Sequence, residues 1–388
     1  MSEKVRVSLK PLQELAEHLT TTFVGREQEV LAALTALAAG EPAFFCGPPG
    51  TAKTALIEEM ARCLNAKYFY YLLTRFTEPD ELLGPLDVAA LRAGEYKRIM
   101  SNRLPDADIV FLDEVFKAGS AVLNILLDII LNRRVMNGTT YVQLPLLSLY
   151  TASNEVTTDA DLAAFYDRLL IRSFVHYIGD DMLDDLLSRG VLVDTGAPRE
   201  RPSIPREYVT QLQRFVNARA QVIVTDTALR ERIGKSIIAL KEKGIVLSDR
   251  RKVKLVKVIA AVSTVMGEEK LSPSSVGAAL LLTAPHDEED VAKVKEVVIK
   301  QGLTPFDPTA YFTLLEEGLR LAEGALQKVR DGSLTLRELQ ELRGVRGELA
   351  KIYNGIPANL FTYSYRAKLY SAIKAIDEVL LSVSGGSG

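Results

Sequence analysis

Cysteine and histidine are scarce: Cys46 and Cys63, with His18, His176 and His286, are the only thiol and imidazole groups in 388 residues. One cysteine falls in an apolar strand-like run and the other in a helical run. That leaves no disulfide framework and no thiolate metal site, and it fits a reducing compartment. Histidines this scattered argue against a zinc site as well. No apolar run is long enough to cross a bilayer, and the N-terminus Met1-Ser2-Glu3-Lys4 is too polar for a secretory leader. Forty-seven basic against fifty acidic residues leave a formal charge of -3, so there is no global electrostatic footprint for nucleic acid. A soluble, cytoplasmic protein is the expectation, with room for two or three domains. The tail Ser384-Gly385-Gly386-Ser387-Gly388 reads as a linker or tag remnant.

What is present is a phosphate-binding loop. Gly47-Pro48-Pro49-Gly50-Thr51-Ala52-Lys53-Thr54 stands between the apolar run Ala43 to Cys46 and a helical pattern starting at Ala55. Gly47 and Gly50 let the backbone curl so that successive N–H groups face an anion, and the following helix offers its positive end to the same charge. Lys53 would reach the β and γ phosphates, and Thr54 would ligate Mg²⁺. The strict motif has glycine before the lysine; Ala52 replaces it, and the strand–loop–helix context carries the reading instead.

Ile109 to Leu112 is an apolar strand that delivers Asp113 and Glu114 to its carboxyl end, where sheets of this kind bind ligands. Asp113 can hold Mg²⁺ through water, and Glu114 can take a proton from an attacking water. A third strand ends in Ser153-Asn154-Glu155; Asn154 either positions that water or simply caps a turn. Arg168 precedes the last strand, too far from its own loop to serve it but available to a neighbouring subunit; Arg172 competes for that role, and a surface ion pair is the plain alternative. Ser248-Asp249-Arg250-Arg251 opens a helix, where Arg250 either clamps nucleotide or belongs to a solvated basic face with Lys252, Lys254 and Lys257.

Five short runs alternate with helical patterns: Ala43 to Cys46, Tyr68 to Leu72, Ile109 to Leu112, Leu147 to Thr151 and Ser173 to Tyr177. This predicts an α/β fold, a parallel sheet between helices. Leu56, Ile57, Met60 and Leu64 give one apolar stripe; Val122, Leu123, Leu126, Leu127, Ile130 and Leu131 give another. Two β-hairpins are expected as inserts, Asp87 to Ile99 and Arg134 to Leu144, the second turning at Asn137-Gly138. Gly190 to Pro205 reads as a connection. The expected domains are a core over 1–180, a connection and all-α lid over 181–285, a helical region over 286–383 that includes segments Leu314 to Val329 and Leu334 to Tyr353, and the tail.

Taken together these runs resemble the AAA+ ATPases, and within them the MoxR family, most closely its RavA branch. The likeness is carried by the loop with Ala52, by Phe76-Thr77-Glu78-Pro79-Asp80-Glu81-Leu82-Leu83-Gly84-Pro85-Leu86, Phe111-Leu112-Asp113-Glu114-Val115-Phe116-Lys117-Ala118-Gly119, Ala152-Ser153-Asn154-Glu155, Tyr166-Asp167-Arg168-Leu169-Leu170-Ile171-Arg172 and Leu247-Ser248-Asp249-Arg250-Arg251. The resemblance implies a P-loop NTPase core binding ATP or ADP with Mg²⁺. Gly47, Pro48, Pro49, Gly50, Thr51, Ala52, Lys53 and Thr54 would form Walker A, and Asp113 and Glu114 Walker B. Asn154 would be sensor 1, Arg168 the arginine finger and Arg250 sensor 2, with Val24 and Gly25 lining the adenine. It further implies a homo-oligomeric, hexameric ring that remodels or matures a protein client, working with a von Willebrand A domain adaptor. The C-terminal hundred residues show no β-rich module like RavA's, so RavA's own partner is not carried over. Two alternatives stand beside this reading: a helicase-like nucleic-acid remodeller of the same clade, using Arg92, Lys97, Arg98, Arg133 and Arg134, and a nucleotide-gated scaffold with little turnover.

Overall fold

The computed structural model describes residues 7–157, 159–196, 200–303, 335–355 and 360–384, with isolated positions between 320 and 328. The chain opens with α1 (Lys10–Thr22) and α2 (Glu27–Ala39), then alternates through β1 (Ala43–Cys46), α3 (Lys53–Cys63), β2 (Tyr68–Leu72), α4 (Pro79–Leu83), α5 (Val88–Arg92), β3 (Ile109–Asp113) and α6 (Ser120–Asn132). The pair β4 (Arg134–Asn137) and β5 (Thr140–Gln143) follows, then β6 (Ser148–Ser153), α7 (Ala160–Arg168), β7 (Ile171–Phe174) and α8 (Leu183–Asp194). Helices α9 (Arg206–Thr225), α10 (Thr227–Glu242), α11 (Asp249–Val265), α12 (Pro273–Thr283) and α13 (Glu288–Lys300) complete a compact unit of residues 1–304. A second unit, residues 305–388, contains α14 (Leu336–Gly355) and α15 (Leu360–Ser384).

Five strands form one parallel sheet in the order β2-β3-β6-β1-β7. Helices cover both faces, so β1 and β6 are buried along their whole length and carry continuous apolar runs instead of alternation. Strand β1 lies between β6 and β7, with Cys46 level with Ser153 and Phe174. This register sets Gly47, Asp113 and Ser153 along one edge of the sheet. The expected last strand, Ser173 to Tyr177, starts two residues earlier: Ile171 pairs with Ala43 and Arg172 with Phe44. A charged residue fits inside a buried strand here because carbonyl oxygens satisfy its guanidinium.

Helix α3 buries Leu56, Ile57 and Met60, and Leu64 just beyond its end. Helix α6 buries Val122, Leu123, Leu126 and Ile129, whereas Leu131, expected inside, is 47% exposed; with apolar residues at nearly every position the helical phase cannot be read from the pattern. Helix α8 runs through Gly190 to Asp194, so the expected connection from Gly190 begins later. The expected helix Leu334 to Tyr353 corresponds to α14. The segment Leu314 to Val329 lies largely outside the described residues, as do 385–388.

The first insert departs from the expected hairpin. Asp87 Oδ1 accepts from the N–H groups of Ala89 (2.9 Å) and Ala90 (3.1 Å), which starts the short helix α5 in a run of good helix formers. A single antiparallel bridge, Leu86 to Arg98, closes it. The second insert is a hairpin, but its two-residue turn is Gly138-Thr139, with φ +65 at Gly138. Asn137 is the last residue of β4, and its Oδ1 accepts the Arg98 N–H (2.8 Å). The Arg98 guanidinium reaches Asp80 (2.5 Å) and the Gly84 carbonyl (2.9 Å) at the two ends of α4.

In the second unit α14 and α15 pack through Leu342, Leu349, Leu369, Ile373, Ile376 and Val379. Arg346 makes a two-pronged pair with Asp377 (3.0 and 3.1 Å).

Candidate nucleotide-binding site

The phosphate loop begins where β1 ends. The Gly47 N–H donates to Ser153 O (3.1 Å) and Cys46 O accepts from the Val175 N–H (2.7 Å), which pins the loop between β6 and β7. A Cβ on Gly47 would stand 2.2 Å from Val175 O, whereas one on Gly50, at φ +77, would meet nothing within 4 Å. The first glycine is thus demanded by packing, and the second leaves open space over the loop. Ala52 adopts φ 64 and caps α3, a left-handed geometry that costs a non-glycine residue about 1 kcal/mol. Thr51 Oγ1 donates to Pro48 O (3.0 Å). The Lys53 ammonium folds back onto Gly47 O (2.8 Å), Pro48 O (2.7 Å) and Thr51 Oγ1 (3.2 Å). Burial pulls its pKa down, against the attraction of Asp113, Cys46 and Glu114. A half-buried cation held by neutral acceptors at a helix N-terminus suits an anion. Burial pushes the neighbouring Cys46 thiol up to about 11.

Asp113 is level with Leu72 at the carboxyl end of β3. Its Oδ1 accepts the Glu114 N–H (2.9 Å), and Glu114 turns left-handed at φ 52. The Glu114 Oε1 receives Asn154 Nδ2 at 2.7 Å and Lys117 Nζ at 3.3 Å. Lys53, Thr54, Asp113, Glu114 and Asn154 therefore surround one edge of the sheet, with hard oxygen donors at Thr54 and Asp113 suited to Mg²⁺. Lys117 stands in the sequence reading only within the run Phe111 to Gly119, with no role of its own. Its signal was the i,i+3 spacing from Glu114 across a 3₁₀ turn, Val115–Lys117, in which such side chains eclipse.

The Val24-Gly25 turn lies between α1 and α2. A Cβ on Gly25 (φ +64) would press Met182 Sδ at 3.1 Å and Ile178 at 3.5 Å. The stretch after β7 joins this turn to the loop: Val175 abuts Gly47, Tyr177 Oη donates to Pro49 O (3.4 Å), and Arg26 Nη1 donates to His176 O (2.8 Å). Val175, His176 and Tyr177 were expected only as strand residues, with no role at the loop.

The arginines separate. Arg168 ends α7, three residues before Ile171, which is level with Ala43 at the start of β1. The phosphate loop leaves the other end of that strand, about 13 Å away along four residues. Arg168 Nη1 donates to Ala164 O and its buried Nε has no hydrogen-bond partner. Arg250 lies at the same end, 3.8 Å from Asp167; burial and then the Arg250 charge lower the Arg168 pKa. Arg172, the competing finger, is buried at 4% exposure and donates to Leu169 O, Pro285 O and Tyr166 O, over whose ring it stacks at 3.7 Å. Arg251 is also buried on carbonyls. Neither is available to a ligand.

A family model for the MoxR domain of the MoxR-vWA-beta-propeller ternary systems matches residues 10–214. An uncharacterised protein of Methanocaldococcus jannaschii is 39% identical over 261 residues, 67% of each chain. A second from that organism is 46% identical over 168 residues, 43% of this chain and 44% of its own. A structural protein of Acidianus two-tailed virus is 31% identical over 182 residues, 45% of this chain and 29% of the viral one. The match thus spans under half of the second relative and under a third of the third. Among solved structures, a candidate ATPase from Cytophaga hutchinsonii aligns with a TM-score of 0.60 at 16% identity, over 75% of this chain and 93% of its own, a likeness of fold alone. The loop, the acid pair at the end of β3 and the P-loop NTPase sheet order agree with these matches: the chain belongs to the MoxR family of AAA+ ATPases.

Proposed function

We propose that this protein hydrolyses ATP as a homo-oligomeric, hexameric ring, with each site completed by the adjoining protomer, and that it remodels or matures protein complexes. One observation carries the shared site: Arg168 and Arg250 sit together at the end of the sheet opposite the phosphate loop, so they serve a pocket other than their own. Lys53 and the loop N–H groups hold the phosphates, while Val24 and Gly25 flank the base. Thr54 and Asp113 would hold Mg²⁺, which when bound offsets phosphate charge. Glu114, oriented by Asn154 and Lys117, takes the proton of the attacking water. Arg168 of the neighbour meets the charge that develops on the transferred group.

A protein client is favoured over nucleic acid by the inserts. Lys97 pairs with Glu95, Arg98 with Asp80, and Arg133 donates to Leu146 O, while Arg134 lies 3.9 Å over the Tyr141 ring. Arg98 and Arg133 are thus held inward by the fold, and the exposed Lys97 is offset by the carboxylate of Glu95. The family's ternary systems supply the partner classes, a vWA protein and a β-propeller protein. No described helix is long and apolar enough to cross a membrane.

Arg168→Ala tests the shared site: turnover falls by about 10³ to 10⁵ while nucleotide still binds, and dilution of the wild type to single protomers stops hydrolysis. Turnover per chain that is independent of concentration, or an active Arg168→Ala protein, overturns it.

A further inference from the structure

Two buried guanidiniums join α7 to the helices that follow the core. Arg251, in the first turn of α11 and 3% exposed, donates through Nη1 to Asp167 O (3.0 Å) and Leu169 O (3.1 Å), and through Nη2 to Leu170 O (3.0 Å) and to Thr283 O at the end of α12. Arg172 repeats the arrangement: Nε to Leu169 O (3.1 Å), Nη2 to Tyr166 O (2.9 Å) and Nη1 to Pro285 O (2.9 Å) just past α12. The last carbonyls of a helix lack partners within it, and its negative end favours cations; here Arg251 meets both needs from α11 and Arg172 from β7. Ser248 tightens the joint, its hydroxyl donating to Asp167 Oδ2 (3.1 Å) and accepting the Arg251 N–H (3.3 Å). Beside these bonds lies a cleft of about 440 Å³ lined by Asp167, Arg172, Leu247, Arg251 and His286. The directional bonds therefore run along one wall of this open cleft.

We infer that Arg251 is a positioning residue: it fixes the last turn of α7, and with it Arg168, to α11 and α12, so that the pose of these helices in one protomer sets the turnover of the next. This rests on the shared-site reading above. Burying a cation costs several kcal/mol, and apolar side chains would join two helices more cheaply. What a planar guanidinium adds is a fixed angle among four acceptors. A catalytic group displaced by about 1 Å loses about 10²-fold in rate.

The test uses the full chain carrying Arg251→Lys, which keeps the charge and loses the fork. Affinity for a fluorescent ATP analogue stays within about threefold of wild type, because the analogue's own loop is untouched, while phosphate release falls about 10²-fold. Adding excess Lys53→Ala chains, which bind no nucleotide but keep Arg168, Arg250 and Arg251, restores phosphate release at the Arg251→Lys sites. A milder variant, Ser248→Ala, shows the same split of turnover from affinity at about twofold to tenfold and guards against a folding defect. Wild-type turnover by both variants, affinity and turnover falling together in both, or no restoration where Arg168→Ala chains are restored in the same mixture, overturns the inference. If Arg168→Ala chains are not restored either, the shared site itself fails and this inference falls with it.

Discussion

Replacing Asn154 isolates the control of Glu114. The amide donates to Glu114 Oε1 at 2.7 Å, and among the described residues the cation on that oxygen is Lys117 at 3.3 Å, itself 62% exposed. A hydrogen bond to a charged group contributes about 1.5 to 3 kcal/mol, and at this exposed position the lower figure applies. Asn154→Ala therefore lowers turnover about tenfold, since an exposed lysine alone holds the carboxylate with about 0 to 1 kcal/mol. Asn154→Asp keeps the shape and reverses the interaction. Two carboxylates about 4 Å apart repel by about 1 kcal/mol in water and about 4 kcal/mol at an effective dielectric of 20, a further loss between about fivefold and about a thousandfold. That extra loss is electrostatic and exposed, so it shrinks as salt rises from about 0.1 M to about 1 M and the screening length falls from about 10 to about 3 Å; the Ala variant stays flat. Steady-state phosphate release across a salt series, with analogue binding measured in parallel, reads both effects. Asn154→Ala turnover within twofold of wild type, or an Asp variant that matches it at every salt concentration, refutes the linkage.

Gly47→Ala drives a Cβ to 2.2 Å from Val175 O; it should abolish analogue binding and destabilise the protein by about 1 to 3 kcal/mol, and intact binding at wild-type stability would show that the loop can shift. Arg172→Met leaves the carbonyls of Tyr166, Leu169 and Pro285 without their donor and should cost about 3 kcal/mol in denaturant titration, whereas an unchanged midpoint would mean water replaces it freely. Burial raises Cys46 to about 11 and Cys63 to about 12. At pH 8 about one Cys46 in a thousand is thiolate, so iodoacetamide should modify native protein slowly, faster as pH rises, and fully only after unfolding. Rapid native labelling at pH 8 would contradict the burial of both thiols.

The parts of the fold that were legible in sequence are those where local pattern and burial agree. Phe44 and Phe45, or Val110 to Leu112, form apolar runs too short for helices and are closed by turn or acidic residues, so β1 and β3 declare themselves. The first insert misled because Val88 to Leu91 is equally apolar in either conformation, and the deciding atom is the Asp87 carboxylate at the N-cap. Arg172 read as a possible finger because a lone arginine gives no sign of its acceptors; Pro285 lies 113 residues away from it in sequence. Tyr177 escaped for the same reason, since Pro49 becomes its neighbour only once the sheet is assembled, whereas Lys117 reaches Glu114 through a short 3₁₀ turn that the apolar pattern does not mark.

Arg98 gives the two inserts a common foundation. Its backbone grips the hairpin through Asn137 while its side chain grips both ends of α4, and α4 hangs from the loop that leaves β2 beside Asp113. Loss of the Arg98 side chain would therefore release both inserts from α4 at once. One residue thus serves as the common anchor of two segments about forty residues apart in sequence.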